Sequence, residues 1–122
     1  MTWNFENDRP IYLQIMDELI IKIVSGEYEP GQKIPPVREL ATQIKVNPNT
    51  LQRAFSELES LNIIKAQRTS GRFVTNDTSL IAHLKNKLAL QKVENFFDEM
   101  RQLGFNNIKT LEYINSLRKD DK

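Results

Sequence analysis

Between Asn47 and Arg53 the chain places four hydrogen-bonding side chains, Asn49, Thr50, Gln52 and Arg53, within little more than one helical turn. Amides and hydroxyls so arranged suit the edges of nucleobases, and a guanidinium suits a phosphate. Asn47 is placed to cap this helix, and Pro48 fits its first position, where the missing N–H has no partner to lose. Arg38 stands at the start of a shorter preceding helix, where the helix dipole disfavours a cation, which points to a role outside packing. Other combinations offer no chemistry. His83 is the only histidine, has no second ligand at a usable spacing, and reads as a helix-surface residue. The carboxylate pairs Asp17-Glu18, Asp98-Glu99 and Asp120-Asp121 fall on polar faces or at the chain's end. There is no phosphate loop, nucleophile motif or metal constellation, so no enzyme, metal or cofactor is expected.

The elements that must position the polar row follow from periodicity. Over residues 10–25, Pro10 opens a helix, Ile11, Ile15, Leu19 and Ile23 recur every four residues, and Gly26 stops it. Glu29-Pro30-Gly31 is a turn, and Pro35-Pro36 forces an extended entry to a two-turn helix from Val37 to Ile44 that buries Leu40, Ala41 and Ile44. Leu51, Phe55, Leu58 and Leu61 mark the core face of the third helix. Ile63 to Gln67 and Arg72 to Thr75 read as strands around the turn Arg68-Thr69-Ser70-Gly71, a hairpin whose tip carries Arg68 and Arg72. Two helices, a turn and a hairpin in this order describe a winged helix-turn-helix. The N-terminal arm with Trp3 and Phe5 is expected to fold back on an apolar surface.

From Ser79 to about Leu103 a long helix is expected, capped by Thr78 or Ser79 and stopped by Gly104, with a last helix from Ile108 to Leu117. The apolar residues of the long helix drift around its axis, which argues against a strict heptad coiled coil. Two helices alone do not bury this much apolar surface, and a second copy of the chain is the simplest partner. The expected dimer interface comprises Leu84, Leu88, Val93, Phe96, Phe97, Met100, Leu103, Leu111 and Ile114. The fold class is thus mostly α with a small β-hairpin: residues 1–76 as a DNA-binding domain and 77–122 as a helical dimerisation segment.

Composition narrows the setting. With 122 residues and 39% hydrophobic content the chain can form one small domain and an appendage. It has no cysteine, no apolar run near the roughly 20 residues that span a bilayer, and no leader pattern, so a cytoplasmic, non-membrane protein is expected. The net charge of +1 hides an uneven distribution: −4 over residues 1–30, +4 over 31–76 and +1 over the rest. The positive segment is the one carrying the polar row, and a local patch is what phosphate binding requires.

At this level of detail the chain resembles the GntR family of bacterial transcription regulators. The motifs are Gly26-Glu27-Tyr28-Glu29-Pro30-Gly31, Pro35-Pro36-Val37-Arg38-Glu39-Leu40-Ala41, Val46-Asn47-Pro48-Asn49-Thr50 and Gly71-Arg72-Phe73-Val74, covering about residues 10–75. The short helical tail resembles the YtrA-like subfamily, whose members dimerise through two C-terminal helices and lack a large effector domain. The resemblance implies DNA contact by Arg38, Asn47, Asn49 and Thr50. Gln52 and Pro48 stand where many members carry base-reading arginines, so the resemblance implies a different target sequence. Thr69 stands where glycine is common at the wing tip, and Lys45 where glycine is frequent in the turn. A left-handed lysine would cost on the order of 1 kcal/mol and set its charge towards a phosphate.

The expected DNA-binding set is therefore Arg38, Lys45, Asn47, Asn49, Thr50, Gln52, Arg53, Arg68 and Arg72, in a homodimeric repressor on a palindromic double-stranded DNA operator. Two alternatives stay open on sequence: a winged helix used as a protein-interaction module, and the same regulator with a small-molecule effector site at the dimer interface. About 45 residues after the wing leave little room for a pocket within one subunit.

Overall fold

In a computed structural model, which describes residues 3–118, the chain forms five helices and a three-stranded antiparallel sheet. The Asp120-Asp121 pair lies outside the described residues. The elements are α1 (Ile11–Val24), β1 (Lys33–Ile34), α2 (Val37–Ile44), α3 (Pro48–Ser60), β2 (Ile64–Gln67), β3 (Gly71–Val74), α4 (Thr78–Gln102) and α5 (Asn107–Leu117). The chain divides between Lys85 and Asn86, within α4, into two compact units.

The first unit is built on one core. Ile15, Leu19 and Ile23 of α1 meet Leu51, Ala54, Phe55 and Leu58 of α3, with Leu40 and Ala41 of α2 and Ile34, Ile64 and Val74 of the sheet. Burial of these side chains removes apolar surface from water and is the main force holding the three helices together. Leu61 departs from expectation. It is 53% exposed, because α3 ends at Ser60 and Asn62 takes a left-handed conformation that turns the chain away before another helical position can face the core. The N-terminal arm does fold back. Trp3 and Phe5 pack on the core, and Gln14, nearly buried, donates from Nε2 to the carbonyls of Glu6 and Arg9 while its Oε1 accepts from the Glu6 N–H.

The sheet has the order β1-β3-β2, with Ile34 opposite Arg72 and Ile64 opposite Val74. The expected hairpin is present, and β1 is an addition to it. Two residues are too few to display strand alternation, but their backbone groups pair with β3, and the Val74 N–H donates to the Gln32 carbonyl at 2.9 Å. Gly31 makes this approach possible: its φ is +80°, its N–H donates to the Val74 carbonyl, and a Cβ there would stand 2.6 Å from Asn76 Oδ1.

Helix α4 starts earlier than expected because Asp77, not Thr78 or Ser79, caps it. Asp77 Oδ1 accepts from the Leu80 N–H at 3.1 Å, and Thr75 Oγ1 fixes Asp77 by accepting its N–H. The opening turns of α4 place Leu80, Ile81 and Leu84 against the first core. In the second unit α4 ends at Gln102, Gly104 takes φ +97°, and the Phe105 N–H returns to the Met100 carbonyl. Asn106 then caps α5 by accepting from the Lys109 N–H. Arg101 pairs with Asp98 and donates to Asn107 Oδ1, and the Phe105 and Tyr113 rings meet at a tilt of 59° with centroids 5.7 Å apart.

Candidate nucleic-acid interface

The first turn of α3 stands as its sequence requires. Asn47 Oδ1 accepts from the Asn49 N–H at 2.7 Å, and Pro48 occupies the first position. Leu51, Ala54 and Phe55 bury one face, which leaves Asn49, Gln52 and Arg53 exposed and Thr50 half-buried. Gln52 Nε2 makes a long contact of 3.4 Å with Ser56 Oγ, so its amide keeps free hydrogen-bonding capacity. The tight turn into α3 is closed by Lys45, at φ 61° and ψ 51°, the left-handed conformation anticipated for it. Lys45 has an exposed side chain.

A cleft of about 500 Å³ lies between this helix and the hairpin, bordered by Arg38, Gln52, Lys33, Thr69, Ser70 and Arg72 among others. Arg38 reaches it from the first turn of α2, and among the described residues no hydrogen bond or ion pair holds its guanidinium. Arg68 is exposed at the hairpin turn, which the Ser70 N–H closes on the Gln67 carbonyl at 3.1 Å.

Two of the nine positions, both arginines, engage side chains of other elements of the protein. Arg72 Nε donates to Glu59 Oε2 at 2.7 Å, with its guanidinium 5.1 Å from the centre of the Phe55 ring, so it ties the wing to α3. Arg53 lies over the Tyr12 ring at 3.8 Å from its centre. Neither contact is visible in sequence, since each joins residues far apart in the chain. Lys33, absent from the expected set, borders the same cleft, its side chain running past Gly71. Its place follows from the unanticipated strand β1.

Among the described residues no group of histidine, cysteine or carboxylate side chains could hold a metal ion, and no helix is long and apolar enough to cross a membrane. The titration of Tyr28 is shifted: burial, and then the Glu27 carboxylate beside it, raise its pKa above the ordinary tyrosine value.

Three helices, a polar recognition turn and a hairpin wing define the class: a winged helix-turn-helix DNA-binding protein. Residues 11–74 match the family model for bacterial regulatory proteins of the gntR family, and the chain belongs to that family. It is 43% identical to the uncharacterised HTH-type transcriptional regulator YhcF of Bacillus subtilis, over 90% of this chain and 91% of that one. It is 32% identical to the HTH-type transcriptional repressor YtrA of the same organism, over 93% and 88% of the two chains. Among solved structures, a GntR family transcriptional regulator from Listeria monocytogenes superposes with a TM-score of 0.83 at 44% identity, covering 92% of this chain and 98% of that one. These relatives are transcription regulators rather than enzymes, and the chain is a DNA-binding regulator of the YtrA type.

Proposed function

We propose that the protein is a cytoplasmic, homodimeric repressor that binds an approximately palindromic operator. Residues 1–76 form its DNA-binding domain and 77–122 its dimerisation segment. Each α3 enters a major groove, and the two half-sites are related by the two-fold axis of the dimer. Asn49, Thr50 and Gln52 read base edges, with the Gln52 amide suited to adenine. Arg38, Lys45, Arg53 and Arg68 meet phosphates, while Asn47 and Arg72 hold the helix start and the wing in place. Repression follows from occlusion of polymerase.

The observation that carries this reading is the exposed polar turn of α3 beside a cleft bordered by an uncompensated Arg38. The dimer rests on the second unit: Val93, Phe96, Leu103 and Leu111 are exposed, and Leu88, Phe97, Met100 and Ile114 are only partly covered. Leu84 is partly covered by its own chain and adds less. Selection of bound duplexes from random DNA is the test. Two inverted half-sites at a fixed spacing are expected, with affinity falling steeply as salt rises. A single unpaired site would contradict the dimeric reading. Absent or salt-independent DNA binding would favour a protein-interaction module.

A further inference from the structure

The stack of Arg53 on Tyr12 joins the second turn of α3 to the first turn of α1. A guanidinium lying over a ring uses its π face and leaves its in-plane N–H donors open. Among the described residues no hydrogen bond or ion pair takes up those donors. Arg53 is exposed, next in sequence to Gln52 and about 100° round the helix from it. We infer that Tyr12 is a positioning residue for DNA: its ring holds the Arg53 guanidinium edge-outward, so that its N–H groups meet a backbone phosphate flanking the bases that α3 reads. The inference rests on the proposed docking of α3. A free arginine side chain must give up rotamer freedom when it meets a phosphate, and one already held flat gives up less. The Tyr12 hydroxyl has no part in this arrangement.

Salt-dependent binding to labelled random-sequence duplex DNA tests it. Arg53→Ala should lower the slope of log affinity against log salt by about 0.9, the signature of one lost phosphate contact. Tyr12→Leu should weaken binding about two- to fivefold, while Tyr12→Phe binds as the unaltered protein does. In the Arg53→Ala background Tyr12→Leu should have no further effect. Equal losses from Tyr12→Leu with and without Arg53, or a loss from Tyr12→Phe, would overturn the inference. Should Tyr12→Leu fail to fold, nuclear magnetic resonance of the unaltered protein decides. Adding duplex should move the Arg53 Nε–H resonance while its ring-current shift from Tyr12 persists, and an unmoved resonance overturns the inference. Failure of the unaltered protein to bind any duplex would remove the docking of α3 and this inference together, whereas DNA binding indifferent to Arg53 would remove this inference alone.

Discussion

The two units of this chain solve the burial problem in opposite ways. Up to Lys85 the chain closes its own core, and side chains such as Phe55, Leu51 and Leu58 are fully buried. From Asn86 onwards no described apolar residue is buried. Thr110 alone is, its hydroxyl donating to the Asn106 carbonyl, while Leu103 remains 73% exposed. The contrast is not one of helix quality, since α4 and α5 end or begin on well-formed caps. A capped helix satisfies its backbone; it does not by that hide its side chains. The first unit covers its own apolar residues; the second leaves its own largely exposed, as the proposed dimer requires.

The largest effect that sharpens this contrast is expected at Phe55. Replacing it with alanine should cost the first unit about 3–5 kcal/mol, read by chemical denaturation, because the emptied volume lies in a close-packed core. A loss under about 1 kcal/mol would mean that the core is less complete than its burial indicates. Next comes the second unit. The double change Val93→Glu and Phe96→Glu should leave the fold of the first unit intact yet weaken self-association by about 2 kcal/mol or more, seen by sedimentation as monomer. If both positions face water in solution, the change will be nearly neutral and the proposed dimer through the second unit falls.

Smaller effects probe the proposed DNA face of the first unit. Gln52→Ala should cost about 1–3 kcal/mol of operator affinity and relax preference at one base pair per half-site; equal losses on operator and random DNA would contradict base reading. Lys45→Gly relieves a left-handed side chain and should stabilise the fold by up to about 1 kcal/mol while removing one cation from the turn. Its salt slope on DNA should fall by about one if Lys45 meets a phosphate.

The smallest effect is alkaline. Tyr28 has a raised pKa in the folded chain, so above its ordinary value of 10.0 the folded state holds the proton more firmly than the unfolded one. Stability should therefore be fully present below pH 10 and decline as the pH rises towards the folded pKa. Tyr28→Phe should remove that part of the decline in a pH series of denaturation curves.

Sequence reached the recognition turn almost completely, because capping and amphipathic spacing are local. Asn47, Pro48 and the buried stripe from Leu51 to Leu58 specify α3 without help from the rest of the chain. What it missed depends on distant partners. Strand β1 exists through pairing with β3, and Arg53 and Arg72 turn to Tyr12 and Glu59; the Asp77 cap, fixed by Thr75 two residues away, is the local exception. Leu61 shows the converse: periodicity carries on past the residue where a left-handed Asn62 ends the helix. The resemblance to a family supplied roles for matching positions. It could not supply these pairings, which belong to residues outside its motifs or to side-chain orientation.

The two-residue strand β1 has a mechanical consequence. It runs directly into Pro35-Pro36 and α2, and it is stitched to β3 by backbone hydrogen bonds. The hairpin is therefore no loose flap hanging from α3. Its strand β3 is flanked on the side away from β2 by β1, at Phe73 and Arg72, and Arg72 is braced on Glu59. On the proposed docking, a hairpin tied in this way spans a set width between a groove and its neighbouring backbone, so DNA whose grooves are narrowed or widened should be sorted by fit as well as by bases.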